Sequence, residues 1–208
     1  MTLRSHIFGQ FKQPRGPLGC LAGWIMAHRR SNRERNAWTI SLLDIQPDDK
    51  ILEIGCGPGI GLEICAKHLE GGQVVGLDHS RTMLNQARRR NAPQIEAGLI
   101  ELYLGDLRDL DALSGPFDKI YSANVAQFFP NKTEAFRALF NVTAQKGTVG
   151  STYMPRGKRP SQLDAVAFGE DIKVHMIMAG FDNVRVEEFA LQPVPAVCVL
   201  GDKTHRKS

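Results

Sequence analysis

From Lys50 onward the chain alternates between two hydrophobic rhythms. Short, nearly unbroken apolar runs at Lys50–Ile54, Gln73–Asp78, Ile100–Leu104, Lys119–Val125 and Gly147–Met154 read as buried strands. Between them, apolar residues recur at three- and four-residue intervals over Ile60–Leu69, from Ser80 through Arg90 and over Asn131–Ala144, which predicts helices. Ser80 offers the side-chain oxygen of an N-cap, and Gly71-Gly72 stops the first helix. A longer helix over Ser161–Ala179 ends at Gly180, and Val184–Leu191 and Ala196–Leu200 supply two closing strands, joined through Gln192-Pro193-Val194-Pro195. Strand and helix in such alternation predict an α/β fold, a parallel sheet covered on both faces. Residues 1–45 break the rhythm. Gly9, Pro14, Gly16, Pro17, Gly19 and Gly23 interrupt the early part, while Trp24–Leu43 has a largely helical pattern. A segment of this kind cannot bury a core of its own, so it is expected to pack across the mouth of the sheet as a lid.

At 208 residues the chain accommodates one well-buried α/β domain, expected over residues 46–202, with 1–45 as lid or arm and 203–208 as a basic tail. No run approaches the roughly 18 apolar residues of a membrane span. No apolar stretch near the N-terminus precedes a small-residue cleavage site, so no secretory leader is expected. Cys20, Cys56, Cys65 and Cys198 are scattered without a C-x-x-C pair and read as reduced thiols of a cytoplasmic protein. The six histidines show no H-x-x-x-H or His-Cys spacing, so no metal site is expected. Net charge is +4, and the excess gathers at the two ends. Arg4, Lys12, Arg15, Arg29, Arg30, Arg33 and Arg35 face Glu34 alone within residues 1–38, and Lys203, Arg206 and Lys207 follow at the other end. A solvated arm accounts for this, and so does an anionic partner or substrate.

The most specific stretch is Ile51-Leu52-Glu53-Ile54-Gly55-Cys56-Gly57-Pro58-Gly59-Ile60-Gly61, a buried strand joined to a helix through alternate glycines. Glycines there are expected to clear Cβ atoms from a ligand and to permit a tight turn. The dinucleotide fingerprint G-x-G-x-x-G fails because its third position falls on Ile60, and no Gly-Lys-Ser/Thr follows to make a Walker loop. Glu53, two residues before the first glycine, would repel a pyrophosphate and favour a ligand carrying positive charge. Asp78 ends the second strand 23 residues after Gly55, where a carboxylate can accept from both hydroxyls of a ribose.

The pattern Glu53-x-Gly55-x-Gly57-x-Gly59 resembles the first motif of the class I S-adenosylmethionine-dependent methyltransferases, whose cofactor carries a sulfonium and an ammonium. Asp78-His79-Ser80-Arg81-Thr82-Met83-Leu84 resembles the family's next motif, with Met83 against the adenine or equally in the core. Leu104-Gly105-Asp106-Leu107 and Phe117–Val125 resemble the two that follow. The resemblance covers residues 50–200. It implies a Rossmann-like, seven-stranded, mostly parallel sheet with an antiparallel last strand, helices on both faces and an N-terminal helical lid. It also implies S-adenosylmethionine as cofactor, held by Glu53, Gly55, Cys56, Gly57, Gly59, Asp78, His79, Met83, Asp106, Leu107 and Asn124. In this scheme Asp106 accepts from the adenine amino group and the Leu107 amide meets a ring nitrogen.

The acceptor is less legible. Asn124-Val125-Ala126-Gln127 lacks the Asp/Asn-Pro-Pro-Tyr/Phe of the amino-methylating enzymes, and Ala123-Asn124 lacks the Asp-Ala pair of the metal-dependent catechol type. What remains resembles small-molecule methyltransferases, metal-independent and acting at N, O or C. Trp24, Met26, His28 and Trp38 of the lid, Gln127, Phe128 and Phe129, and Tyr153 and Arg156 are candidates for the acceptor pocket. His28 or Tyr153 is a candidate general base. Arg15, Arg29, Arg30, Arg33, Arg156, Lys158 and Arg159 can surround an anionic group of the acceptor or a lipid headgroup. Two alternatives stand beside this reading: an RNA or protein methyltransferase using the basic ends, and a cofactor-binding subunit without turnover. No RNA-binding module or aromatic-interleaved basic stretch accompanies the first.

Overall fold

The computed structural model describes residues 30–156, 159–192 and 194–204, and within them seven strands form one sheet. These are β1 (Lys50–Ile54), β2 (Gln73–Asp78), β3 (Ile100–Leu104), β4 (Phe117–Ala123), β5 (Thr143–Tyr153), β6 (Asp182–Phe189) and β7 (Ala196–Asp202). They lie in the order β3-β2-β1-β4-β5-β7-β6. The pairs β1–β2, β2–β3, β1–β4 and β4–β5 are parallel, whereas β7 runs antiparallel to both β5 and β6. The mostly parallel sheet with an antiparallel last strand is therefore the observed architecture. From β1 the chain builds outward to β2 and β3 on one side and to β4 and β5 on the other. The C-terminal ends of β1 and β4 thus border a topological switch point, where α/β sheets take their ligands.

Alternation along each strand divides the core. Leu52, Ile54, Val75, Leu77 and Ile120 join a cluster on one face with Phe136 and Leu139 of α5 (Lys132–Val142) and Ile172 and Met176 of α6 (Gln162–Ala179). Ile51, Val74 and Tyr121 join a cluster on the other with Ile40 of α1 (Arg30–Ser41), Leu62 and Cys65 of α2 (Ile60–Cys65) and Leu84 of α3 (Arg81–Arg90). Both faces are thereby sealed, as a parallel sheet requires. Among the described residues no helix is long and apolar enough to cross a membrane.

Several boundaries differ from the pattern. The helix expected over Ile60–Leu69 stops at Cys65, and the amides of Glu70, Gly71 and Gly72 then converge on the carbonyl of Pro47 and pull the chain back. A short α4 (Ala92–Glu96), with Pro93 in its first turn, follows Asn91 directly. α5 passes into β5 without a loop, because Thr143 both accepts the strand register and donates its hydroxyl to Leu139 O at 2.7 Å. β4 ends at Ala123 and not at Val125, since Asn124 turns left-handed at φ 60°.

The expected lid is described only from residue 30. That part is a layer of the fold: Thr39 Oγ1 lies 2.7 Å from Thr152 Oγ1, and Ile40 and Leu43 are fully buried. Its inward face includes Arg35, Asn36 and Thr39, so α1 covers the sheet with polar side chains.

Asn124 fastens the switch point. Its amide donates to Met154 O at 3.0 Å, its carbonyl accepts from Met154 N at 2.8 Å, and its backbone amide donates to Thr152 O at 2.8 Å. Replacing it with alanine removes the two side-chain bonds and places an ordinary residue at positive φ, at a cost of about 2 to 4 kcal/mol. Asn124→Gly relieves only the backbone part, so urea denaturation is expected to rank wild type above Gly above Ala. Equal stability of the Gly and Ala variants would show that the left-handed backbone carries no cost here.

Candidate active site

The loop after β1 is built by backbone first. Gly55 N and Cys56 N both donate to Leu77 O, at 2.7 and 3.2 Å, which folds the loop against the end of β2. Not all of its glycines make room for a ligand. A Cβ on Gly55 would lie 2.6 Å from Val125, on Gly59 2.5 Å from Asn91, and on Gly61 2.5 Å from both Glu53 Oε1 and the Tyr121 hydroxyl. Only Gly57, at φ 54°, faces open space within 4 Å. The expectation that every glycine clears the ligand is corrected: three of the four clear neighbouring side chains. Cys56 is buried with its sulfur directed at Gly76 of β2, so only its backbone borders the loop.

Asp78 links the two strand ends. Its Oδ2 accepts from Gly57 N and its Oδ1 from Ser80 N, each at 2.8 Å, and the side chain is almost fully buried. Each oxygen retains a lone pair beside the open side of Gly57, so a ribose diol can still be accepted there. Burial raises its pKa, against the pull of the two amides and of His79, whose Nδ1 lies 4.0 Å away with the ring half exposed. Met83 is buried at 2 % exposure and belongs to the interior. Leu107 packs against the main core, and Asp106 caps the following 3-10 turn. The Asp106 carboxylate is held by Arg108 through the backbone amide and Nε, both at 2.9 Å, and through Nη2 at 2.6 Å, and sits near pKa 2 in consequence. Both partners are exposed, so an adenine amino group would share that carboxylate with a guanidinium.

Glu53 is buried at 3 % exposure. Its carboxyl lies beneath the first turn of α2, against the space a Gly61 side chain would fill, with the Tyr121 hydroxyl and the Leu62 amide donating to it. Burial pushes its pKa up to about 8; the Tyr121 bond opposes this, and the Asp78 charge adds to it. One oxygen, Oε2, is buried with no hydrogen-bond partner. Two carboxyls that repel, one with an unsatisfied oxygen, suit a positively charged group placed between them. The donor set therefore fits a ligand with a ribose beside Gly57 and a cation toward Glu53.

The acceptor candidates sit around the ends of β4 and β5. Asn124 points its amide at Met154 and serves as a strand clamp. Gln127 donates to Asn124 O at 2.8 Å and leaves its Oε1 buried without a partner. Phe128 is 45 % exposed. Tyr153 packs on Phe168 with ring centroids 4.1 Å apart, and Trp38 stacks on Phe189 at 5.2 Å. Arg156 is exposed, and its charge is felt by Arg35. Trp24, Met26, His28, Arg15, Arg29 and Lys158 lie outside the described residues. Missing from the expected set is Arg35, buried beside Glu53 on a helix whose sequence shows no apolar stripe.

The Glu53 carboxyl keeps its proton to about pH 8 in the folded chain but titrates near 4.5 once unfolded. As pH rises through that window the unfolded form ionises first, so stability is lost between roughly pH 4.5 and 8. Glu53→Gln cannot ionise. Its melting temperature minus that of wild type is expected to grow from pH 5 to 8 and then level off; a difference independent of pH would contradict the buried-acid reading.

Comparison with known proteins agrees with this geometry. Residues 51–147 match the family model described as a methyltransferase domain. The chain is 28 % identical over 183 residues to an uncharacterized methyltransferase, YdaC, of Bacillus subtilis, covering 88 % of this chain and 98 % of that protein. It is 35 % identical over 99 residues to demethylmenaquinone methyltransferase of Symbiobacterium thermophilum, 45 % of this chain but only 39 % of that one. Among solved structures, magnesium protoporphyrin IX methyltransferase of Synechocystis with bound S-adenosylmethionine superposes with a TM-score of 0.60 at 16 % identity, over 84 % of this chain and 80 % of that one. With the sheet order, the Gly57–Asp78 link and the Glu53 carboxyl beside them, these findings support a class I S-adenosylmethionine-dependent methyltransferase.

Proposed function

We propose that the chain transfers the methyl group of S-adenosylmethionine to a small organic acceptor, at nitrogen, oxygen or carbon, without a metal. When bound, the cofactor supplies a methyl group already activated on a sulfonium. The protein's part is then to hold, orient and exclude water. Asp78 is placed to receive ribose hydroxyls beside Gly57, and Glu53 to face the positive end.

The observation that carries the small-acceptor reading is the set of aromatic side chains around the ends of β4 and β5: Tyr153 packed on Phe168, Trp38 stacked on Phe189, and Phe128 half exposed beyond β4. Aromatic faces with few polar groups suit a flat or apolar small molecule. The quinone and porphyrin named in two of the similar proteins are acceptors of that kind. Tyr153, raised above its ordinary value by burial and by Asp164, keeps its proton at neutral pH. It is suited to donate a hydrogen bond to the acceptor and poorly suited to remove its proton.

S-Adenosylhomocysteine at millimolar concentration is expected to raise the melting temperature of the wild type. Asp78→Ala should abolish that rise and also destabilise the free protein by about 2 to 4 kcal/mol, because two buried amides lose their acceptor. Absence of a shift in the wild type would contradict cofactor binding. Turnover on a panel of quinols and aromatic acids, unaffected by a chelator, would support the acceptor class. Methylation of RNA with steep salt dependence and none of small acceptors would overturn it.

A further inference from the structure

Among the described residues the large apolar side chains left most exposed gather on one helix. Leu163 of α6 is 80 % exposed, and Val174, Ile177 and Met178 are each more than half exposed; elsewhere only Leu104 and Phe128 are comparable. The opposite side of α6 already lies in the core, where Ala165, Gly169, Ile172, Met176 and Ala179 are buried. A helix that is apolar on both sides is ordinarily covered on both. Contiguous exposed apolar surface with charges beside it marks a place of association.

Spacing adds to exposure. Leu163, Ala167, Glu170, Val174 and Ile177 follow one another at intervals of four, three, four and three residues, which is the seam of a two-helix coiled coil, and all five are exposed. The polar member of the seam is Glu170, and it meets Lys173 of its own helix at 3.8 Å, so both stand on the same side of the stripe. On the other side Asp171 already holds Lys132 at 3.2 Å and His175 at 3.4 Å.

These charges choose the occupant. An anionic bilayer would meet Asp164, Glu170 and Asp171 along this side of the helix and be repelled. A second copy laid parallel would set Glu170 against Glu170 inside the seam. Laid antiparallel, about a two-fold axis at the level of Ile172, it brings Glu170 of each helix beside Lys173 of the other and Ala167 level with Ile177, small against large. We propose that α6 is a self-association face, on which two copies of this chain pair antiparallel through Leu163, Ala167, Glu170, Val174, Ile177 and Met178. A seam this short, with an alanine and a glutamate in it, gives a weak dimer, with a Kd on the order of tens of micromolar.

Sedimentation velocity of the full chain at rising concentration tests the pairing. The wild-type mass should climb from 23.0 kDa toward twice that value. Ile177→Glu, which puts a charge into the seam, should stay a monomer throughout with an unchanged circular dichroism spectrum. Lys173→Glu should raise the dimer Kd by about threefold to tenfold. Glu170→Lys combined with Lys173→Glu reverses every charge of the quartet and should bring the Kd back to within about twofold of wild type. A wild-type monomer up to about 500 µM overturns the assignment, and so does a dimer that survives Ile177→Glu, because it forms on another face. A monomer that cosediments with phosphatidylglycerol vesicles, and loses that binding in Ile177→Glu, gives the face to a bilayer and overturns the assignment equally. Charge reversal that leaves the dimer as weak as in Lys173→Glu overturns the antiparallel arrangement. Should Ile177→Glu not fold, Val174→Glu places its charge in the same seam and is read in the same way.

Discussion

A carboxyl buried under a glycine is the constraint on which the site depends. Glu53 fits beneath α2 only because Gly61 has no side chain: a Cβ there would meet both carboxyl oxygens and the Tyr121 hydroxyl within 2.7 Å. Tyr121 in turn is fully buried, sits opposite Glu53 itself in the β1–β4 register, and its hydroxyl also meets Cys65 at 3.5 Å. One acid thereby ties together the end of β1, the middle of β4 and the first turn of α2. Packing that would be gained by hydrophobic side chains is given up for an ionisable group held near its own titration point. Sites of binding and catalysis are where such local departures concentrate.

The same economy of backbone extends to the neighbouring strand. Asp78 closes on Gly57 and Ser80, so the loop after β1 and the start of α3 share one carboxylate. Asn91, fully buried, donates to Gly59 O at 3.1 Å and to Ala87 O at 3.0 Å, which locks the far end of α3 onto the glycine loop. With Asn124 clamping β4 to β5, three polar side chains fix the relative position of four strand ends. The ligand-facing edge is rigid because its irregular backbone is satisfied by side chains, not because it is packed with apolar ones.

How far the sequence discloses this depends on which way each element turns its polar residues. β1, β2 and β7 are buried on both faces and read directly as continuous apolar runs. The cap of α3 was legible in Ser80, which accepts from a backbone amide as its type suggests, and Asn131 and Ser161 cap α5 and α6 in the same way. α1 resists such reading: it buries Arg35, Asn36 and Thr39, so periodicity sees a polar segment where the fold has a core helix. α6 fails the opposite test, carrying Val174, Ile177 and Met178 on an exposed side. The acidic loop and Asp78 were visible as motifs, but the direction of Glu53 was not, because it depends on a missing side chain at Gly61 eight residues later. Asn124 and Met83 illustrate the reverse, residues visible in motifs whose side chains serve the strand clamp and the interior.

With its pKa raised to about 8 by burial, the Glu53 carboxyl holds a proton in the free protein and releases it to solvent when a cationic group binds beside it. Calorimetry of S-adenosylhomocysteine binding at pH 6, repeated in buffers of different ionisation enthalpy, measures that proton directly. At this pH the ligand's amino group is already charged, so the account requires release of close to one proton per site in wild type and almost none in Glu53→Gln. Binding enthalpies that do not vary with buffer, or the same release from both proteins, would contradict it.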